Sequence, residues 1–284
     1  MRTSQDMRGE AAGQSPRAFM VDVGRAGAGS LLFSLPILMT MEMWDLGFLI
    51  GAERLALLFV VLPILLTGLS RVGGFRLTAT LGDDIADAFV AIAVALVVST
   101  AILLLFGLIG PDVPLHESVG KVMIQTVPGS IGAMLAQNQF DSEAVHYERD
   151  QRGQTYGGQI FLMVVGAIFL SLSVAPTDEI VVLAHEMGVG HDIATVLFTL
   201  LLMHVFVYSL EIRGSKASEI GRLGARTLFF RYTVVGYALV LCVSLYLLWT
   251  FGRIDNASVQ TVISLTAIVA IPGGIGAAVA RLIL

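Results

Sequence analysis

Charge is what this chain has least of. Asp, Glu, Lys and Arg make up 14% of its 284 residues, against roughly 25% in soluble domains. So few charges cannot cover a fold of this size in water, which excludes an ordinary soluble enzyme, a disordered chain and a nucleic-acid binder. Cysteine is nearly absent too. Cys242 stands alone inside "GYALVLCVSLYLL", can form no internal disulfide and reads as a buried core residue rather than a reactive thiol. Catalytic signatures are missing: there is no Walker A loop, dinucleotide fingerprint, G-x-S-x-G elbow or C-x-x-C-H haem attachment. No cofactor is therefore expected beyond a bound cation of unspecified identity. ATP-driven pumping by the chain alone is disfavoured, and the reading leans away from an enzyme.

What is present is apolar. Hydrophobic residues account for 56% of the chain, and the mean hydropathy is +0.82. A transmembrane helix needs about 20 apolar residues, and eight segments qualify, at about 26–43, 52–69, 86–109, 119–137, 157–175, 192–210, 228–250 and 259–280. The expected fold class is an all-α polytopic membrane protein with eight spans. Residues 1–24 are polar, lack the apolar core of a signal peptide and read as a cytoplasmic tail. The fourth span is weakened by its glycines, Lys121 and Gln125. Basic residues argue for keeping it. With eight spans and both termini inside, only Arg54, Lys121 and Arg253 fall outside, and the other fourteen of the 17 lie on the cytoplasmic side.

The chain also resembles itself. "TVPGSIGAML", with Pro128, Gly129 and Gly132, matches "AIPGGIGAAV", with Pro272, Gly273 and Gly276, at an offset of 144 residues. Phe106-Gly107 matches Phe251-Gly252 at 145, and "SLPILMTME" matches "SLSVAPTDE" at 137, pairing Glu42 with Glu179. These anchors predict a tandem duplication: a first four-helix unit over 25–138, a charged cytoplasmic linker over 139–155, and a second unit over 156–284. An even number of spans per unit makes the halves parallel. The two Pro-Gly elements either break their helices beside a transport site or let a neighbouring helix pack closely.

Polar groups near the bilayer supply the remaining candidates. Carboxylates inside a membrane are costly. Glu42 and Asp45 near the outer end of the first span, with Asp178 and Glu179 across the repeat, would bind a cation or share a proton if they face each other. Otherwise they end helices and reach headgroup water. His185, Glu186, His191 and Asp192 form an outer group whose histidines lie six apart, without the H-E-x-x-H interval. Metal ligation there would need a break at Gly188–Gly190. His204, deep in the sixth span, is either a hydrogen-bonded packing residue or a proton-handling one. Asp84 and Asp87 suit the helix N-terminus of the third span or line an inner cation mouth.

"SLLFSLPILMTMEMWDLG", "AHEMGVGHD" and "PGGIGAAVARLIL" together resemble an uncharacterised bacterial family of integral membrane proteins with about eight spans, over nearly the whole chain from residue 24. The resemblance implies a bacterial inner-membrane location and carries no assigned activity or catalytic residues. The leading functional expectation, from the residues, is an ion channel or secondary transporter for a cation or proton. Its partners would be the lipid bilayer, a small inorganic ion and a second copy of the chain, with no nucleic acid. The alternatives are a membrane-embedded metal-binding enzyme, or a non-catalytic sensor or assembly subunit.

Overall fold

The computed structural model describes residues 16–73, 80–138, 155–214 and 225–283, and these are helical throughout their elements. Most of the expected tail and the linker over 139–154 lie outside them. In the first half, α1 (Pro16–Leu38) leads into a short α2 (Met41–Leu49). The long helices α3 (Ala52–Gly73), α4 (Leu81–Leu105) and α5 (Leu115–Asn138) follow. The second half opens with α6 (Tyr156–Leu172), the short α7 (Glu179–Glu186) and α8 (Val189–Gly214). Then α9 (Ala225–Leu228) passes through a π-helical turn, Phe229–Val234, into α10 (Val235–Thr250). The chain ends in α11 (Val259–Ile283).

Local chemistry sets these boundaries. After α1, Thr40 takes an extended conformation (φ −96°, ψ 132°), its hydroxyl donates to the Ile37 carbonyl, and the Trp44 indole donates to the Leu38 carbonyl. The orphaned carbonyls of the helix end are thus satisfied locally, as a bilayer demands. The expected first span at 26–43 therefore starts earlier and stops earlier, and Glu42 falls on a separate short helix. Thr80 and Asp83 form a capping box at the start of α4. Both Phe106 and Phe251 end their helices with a glycine of positive φ, Gly107 at 69° and Gly252 at 72°. Leu108 then donates to Leu103, as Arg253 does to Leu248, closing two Schellman turns.

The set of packing partners recurs as well. In the first half α5 packs on α1, α4, α2 and α3; in the second α11 packs on α6, α10, α7 and α8. Helix pairs meet through glycine. A methyl group added to Gly132 would sit 2.6 Å from the Gly29 carbonyl oxygen, and Gly166 and Gly276 approach backbone to backbone in the same way. The α2–α5 crossing is equally close, at Gly47 and Gly120.

Both Pro-Gly elements lie inside unbroken helices, since α5 runs through Pro128 and α11 through Pro272. Each ring removes one backbone donor, yet neither breaks its helix. Gly129 packs on Ser30 and Gly132 on Gly29, while Gly273 packs on Ser171 and Gly276 on Gly166. Close packing, not interruption, is what these elements provide, so the expected discontinuous helices are corrected.

Among the described residues six helices are long and apolar enough to cross a membrane, with spans Met20–Leu38, Ala52–Val72, Leu81–Leu105, Val189–Phe206, Phe229–Thr250 and Val259–Ala280. Helix α6 is apolar but has 17 residues. Helix α5 is long but carries Glu117, Lys121 and Gln125, and its stretch from Gly120 to Met134 is almost entirely buried by neighbouring helices. The lipid-exposed helices are the reverse: on α8, Leu197, Phe198, Leu201 and Val205 are more than half exposed. In a bilayer this inversion is the stable one, because lipid accepts leucine and only protein accepts glutamine.

Candidate functional site

Two cavities lie between the halves. The first is a charged vestibule of about 340 Å³ at the end of the molecule where α1 gives way to α2. From the first half it takes Glu42, Asp45, Leu46, Leu49 and Ile50, with Arg54 at the start of α3. From the second it takes Asp178, just before α7, and the α10–α11 turn at Thr250–Arg253 and Asp255. Four carboxylates therefore face two guanidinium groups. Arg54 makes a two-pronged pair with Asp255, both bonds 2.8 Å, and stacks over the Trp249 ring at 5.0 Å. Arg253 pairs with Asp178 and donates to the Pro176 carbonyl. Glu42 and Asp45 join no ion pair among the described residues. They give the vestibule its formal excess of two negative charges.

Three of the four expected outer carboxylates are thus brought together, and the fourth is not. Glu42 and Glu179 occupy the same place in their short helices, the first turn. Only Glu42 lines the vestibule; Glu179 is exposed. Arg54, Arg253 and Asp255 line the candidate site and were not among the residues that sequence reasoning placed there. A signal was available, because Arg54, Lys121 and Arg253 are the three exceptions to the basic-residue asymmetry. Each is acid-paired here, Lys121 with Glu117 at 2.6 Å.

The second cavity, about 690 Å³, is almost wholly apolar and lies toward the opposite end of α1. Its walls come in pairs. Ala28, Gly29, Leu32 and Phe33 on α1 face Val165, Gly166, Phe169 and Leu170 on α6, each pair 137 residues apart. Leu135 and Ala136 on α5 face Val279 and Ala280 on α11, each pair 144 apart. Phe33 and Phe169 meet edge to face across it, ring centres 4.9 Å apart, and Arg25 stands at its rim.

The other expected residues sit elsewhere. The His185 ring nitrogen Nδ1 lies 2.7 Å from the Val181 carbonyl, and that of His191 accepts the Gly188 N–H. Asp192 is buried and accepts from the Gln260 amide at 2.5 Å, while Glu186 is exposed at the end of α7. All of these but Glu186 have a local partner, and Cys242, expected in the core, is exposed on α10. Among the described residues no group of three or more His, Cys, Asp and Glu side chains is placed to hold a metal ion. His204 lies 3.3 Å from the Thr233 hydroxyl and edge-on to Phe229, tying α8 to the π-helical turn. Asp84 is buried and accepts from Ser70 at 3.1 Å, fastening α4 to α3, and Asp87 is half-buried one turn on.

Long apolar helices, glycine-mediated crossings and polar side chains such as Lys121 and Gln125 buried between helices define a polytopic helical integral membrane protein. No curated protein and no solved structure matches the chain. A family model does, over residues 22–284: the chain belongs to the family described as putative integral membrane protein (DUF2391).

Proposed function

We propose that this protein is an ion channel or secondary transporter for a cation or proton, with the charged vestibule as its outer mouth. The carrying observation is the placement of Glu42 and Asp45, without ion-pair partners, in a cavity shared by both halves. A cleft with an excess of carboxylates raises the local concentration of cations and protons by about tenfold or more. Arg54 and Arg253 hold Asp255 and Asp178 in fixed pairs, leaving the α2 carboxylates as the groups that exchange partners.

The architecture belongs to the same proposal. Supporting a tandem duplication are the twice-used helix order, the matched Schellman turns at Gly107 and Gly252, and the paired walls of the apolar cavity. Supporting eight spans is the burial of α5 and α6 among the six apolar helices, since a helix sheathed by protein need not be uniformly apolar. Both termini then face the cytoplasm, in a bacterial inner membrane, and the apolar cavity opens toward the inner leaflet.

Flux into proteoliposomes tests the reading, with protons, monovalent and divalent cations offered in turn. The doubly neutral variant Glu42→Gln, Asp45→Asn should carry about tenfold less than wild type, while Glu179→Gln should match it. Wild-type flux in the double variant would sink the vestibule as the mouth.

A further inference from the structure

A third cavity, about 460 Å³, opens at the start of the Phe229–Thr250 span, lined by Tyr156, Arg226, Thr227, Phe230, Arg231 and Val235. We propose that it binds the phosphodiester headgroup of an anionic membrane phospholipid. Its formation depends on the π-helical turn Phe229–Val234. Such a turn bonds residue i to i+5 and so takes more residues than an α-helical turn, and Arg226, Arg231, Phe230 and Val235 line the one cavity across it. The cavity thereby presents two cationic side chains beside two apolar ones.

Tyr156 completes the site from α6. Its hydroxyl donates to the Arg231 carbonyl at 3.1 Å, and its ring lies under the Arg231 guanidinium at 4.3 Å. Stacking fixes the plane of the guanidinium while leaving its N–H edges free to point outward, the presentation that suits a phosphate. The Tyr156 ring is itself braced edge-on by Tyr232, 5.5 Å away. Among the described residues neither Arg226 nor Arg231 has a carboxylate within ion-pair distance, whereas Arg25, Arg54 and Arg253 all do.

What favours a lipid over a free anion is the surface next to the arginines. Phe230 is 65% exposed. Val234 and Val235 beside it are also exposed, on a helix whose apolar length begins at Phe229. The two charges thus stand at headgroup level and the apolar side chains at acyl-chain level. Basic pockets between helices at a membrane surface take anionic headgroups, and the geometry holds whichever side of the membrane this end faces. The site is independent of the outer vestibule.

Native mass spectrometry of the full chain, released from neutral detergent, tests the assignment. Three probes are added separately: palmitoyl-oleoyl phosphatidylglycerol, the zwitterionic phosphatidylcholine with the same chains, and inorganic phosphate. Wild type should retain phosphatidylglycerol in preference to phosphatidylcholine, and millimolar phosphate should not displace it. Loss of two interfacial basic side chains should weaken retention about 30-fold in Arg226→Gln, Arg231→Gln, and Tyr156→Leu several-fold. Arg71→Gln, a basic residue at the end of α3, should behave as wild type. Equal retention of the two lipids, or full retention in the double variant, would overturn the proposal. Displacement by inorganic phosphate would overturn the lipid source and leave a soluble phosphate as the ligand. Should the double variant prove unstable, headgroup selectivity and phosphate competition in wild type decide the question alone.

Discussion

Gly29 lies where α1 and α5 come closest, and its replacement by alanine measures how much that crossing depends on the absence of a side chain. The new methyl carbon would sit 2.5 Å from the Gly132 carbonyl oxygen and closer still to the Ala136 methyl. Carbon and carbonyl oxygen ordinarily stay about 3.3–3.6 Å apart, so the backbones must separate by roughly 1 Å. Neither obstacle is a flexible side-chain tip. Gly24, also on α1, provides the reference, because a methyl group there meets nothing within 4 Å. Both substitutions gain the same helix propensity, up to about 1 kcal/mol, and that gain cancels in the difference. What remains is overpacking, about 1–3 kcal/mol. Gly29→Ala should therefore unfold more readily than Gly24→Ala by that amount, read from SDS titration in mixed micelles followed by circular dichroism. Gly166→Ala should fall on the same side, since its methyl would strike the Gly276 carbonyl and lie 2.6 Å from Ala280. Equal stability of Gly29→Ala and Gly24→Ala would refute the close crossing, and with it the claim that the Pro-Gly elements serve packing.

Further expectations follow from the vestibule and the turns beneath it. Arg54→Gln removes one of two positive charges from a cavity of net negative charge, so the apparent affinity for a transported cation should rise a few-fold. Its effect on stability should stay within about 1 kcal/mol, because the Arg54–Asp255 pair is partly exposed; a weaker cation affinity would contradict the electrostatic role given to Glu42 and Asp45. Gly107→Ala and Gly252→Ala each force a residue with a side chain into left-handed conformation, at about 1–2 kcal/mol. At Gly107 the strain should be the whole effect, for a methyl there has open space. A Gly107→Ala protein with an unchanged unfolding midpoint would show that the turn is not held in that conformation.

The sequence made the solvent legible, and with it the class of fold, because 14% charge leaves no other environment. The Phe-Gly pairs were legible only as matched anchors of a repeat; that each closes a helix with a left-handed glycine came from the structure. The short helices were not legible. Nothing in "LMTMEMW" announces that Thr40 leaves the helix, because the break is held by a pair of hydrogen bonds, from Thr40 and Trp44, to carbonyls that sequence patterns do not reveal. Periodicity placed Glu42 and Glu179 at equivalent positions, and the short helices keep that equivalence. Their surroundings do not, since Glu42 lines the vestibule and Glu179 does not. The vestibule is formed where α2 of one half meets the α10–α11 turn of the other, and a one-chain pattern carries no record of which face meets which neighbour. The exceptions carried more information than the pattern: three basic residues stood on the side where the expected eight-span topology leaves basic residues scarce. A cation tolerated there needs a local reason, and in each case the structure supplies a carboxylate. Two of those three pairs, Arg54–Asp255 and Arg253–Asp178, frame the candidate site. In a chain so poor in charge, the residues that break the topology rule are thus a better guide to the site than the repeat that encloses it.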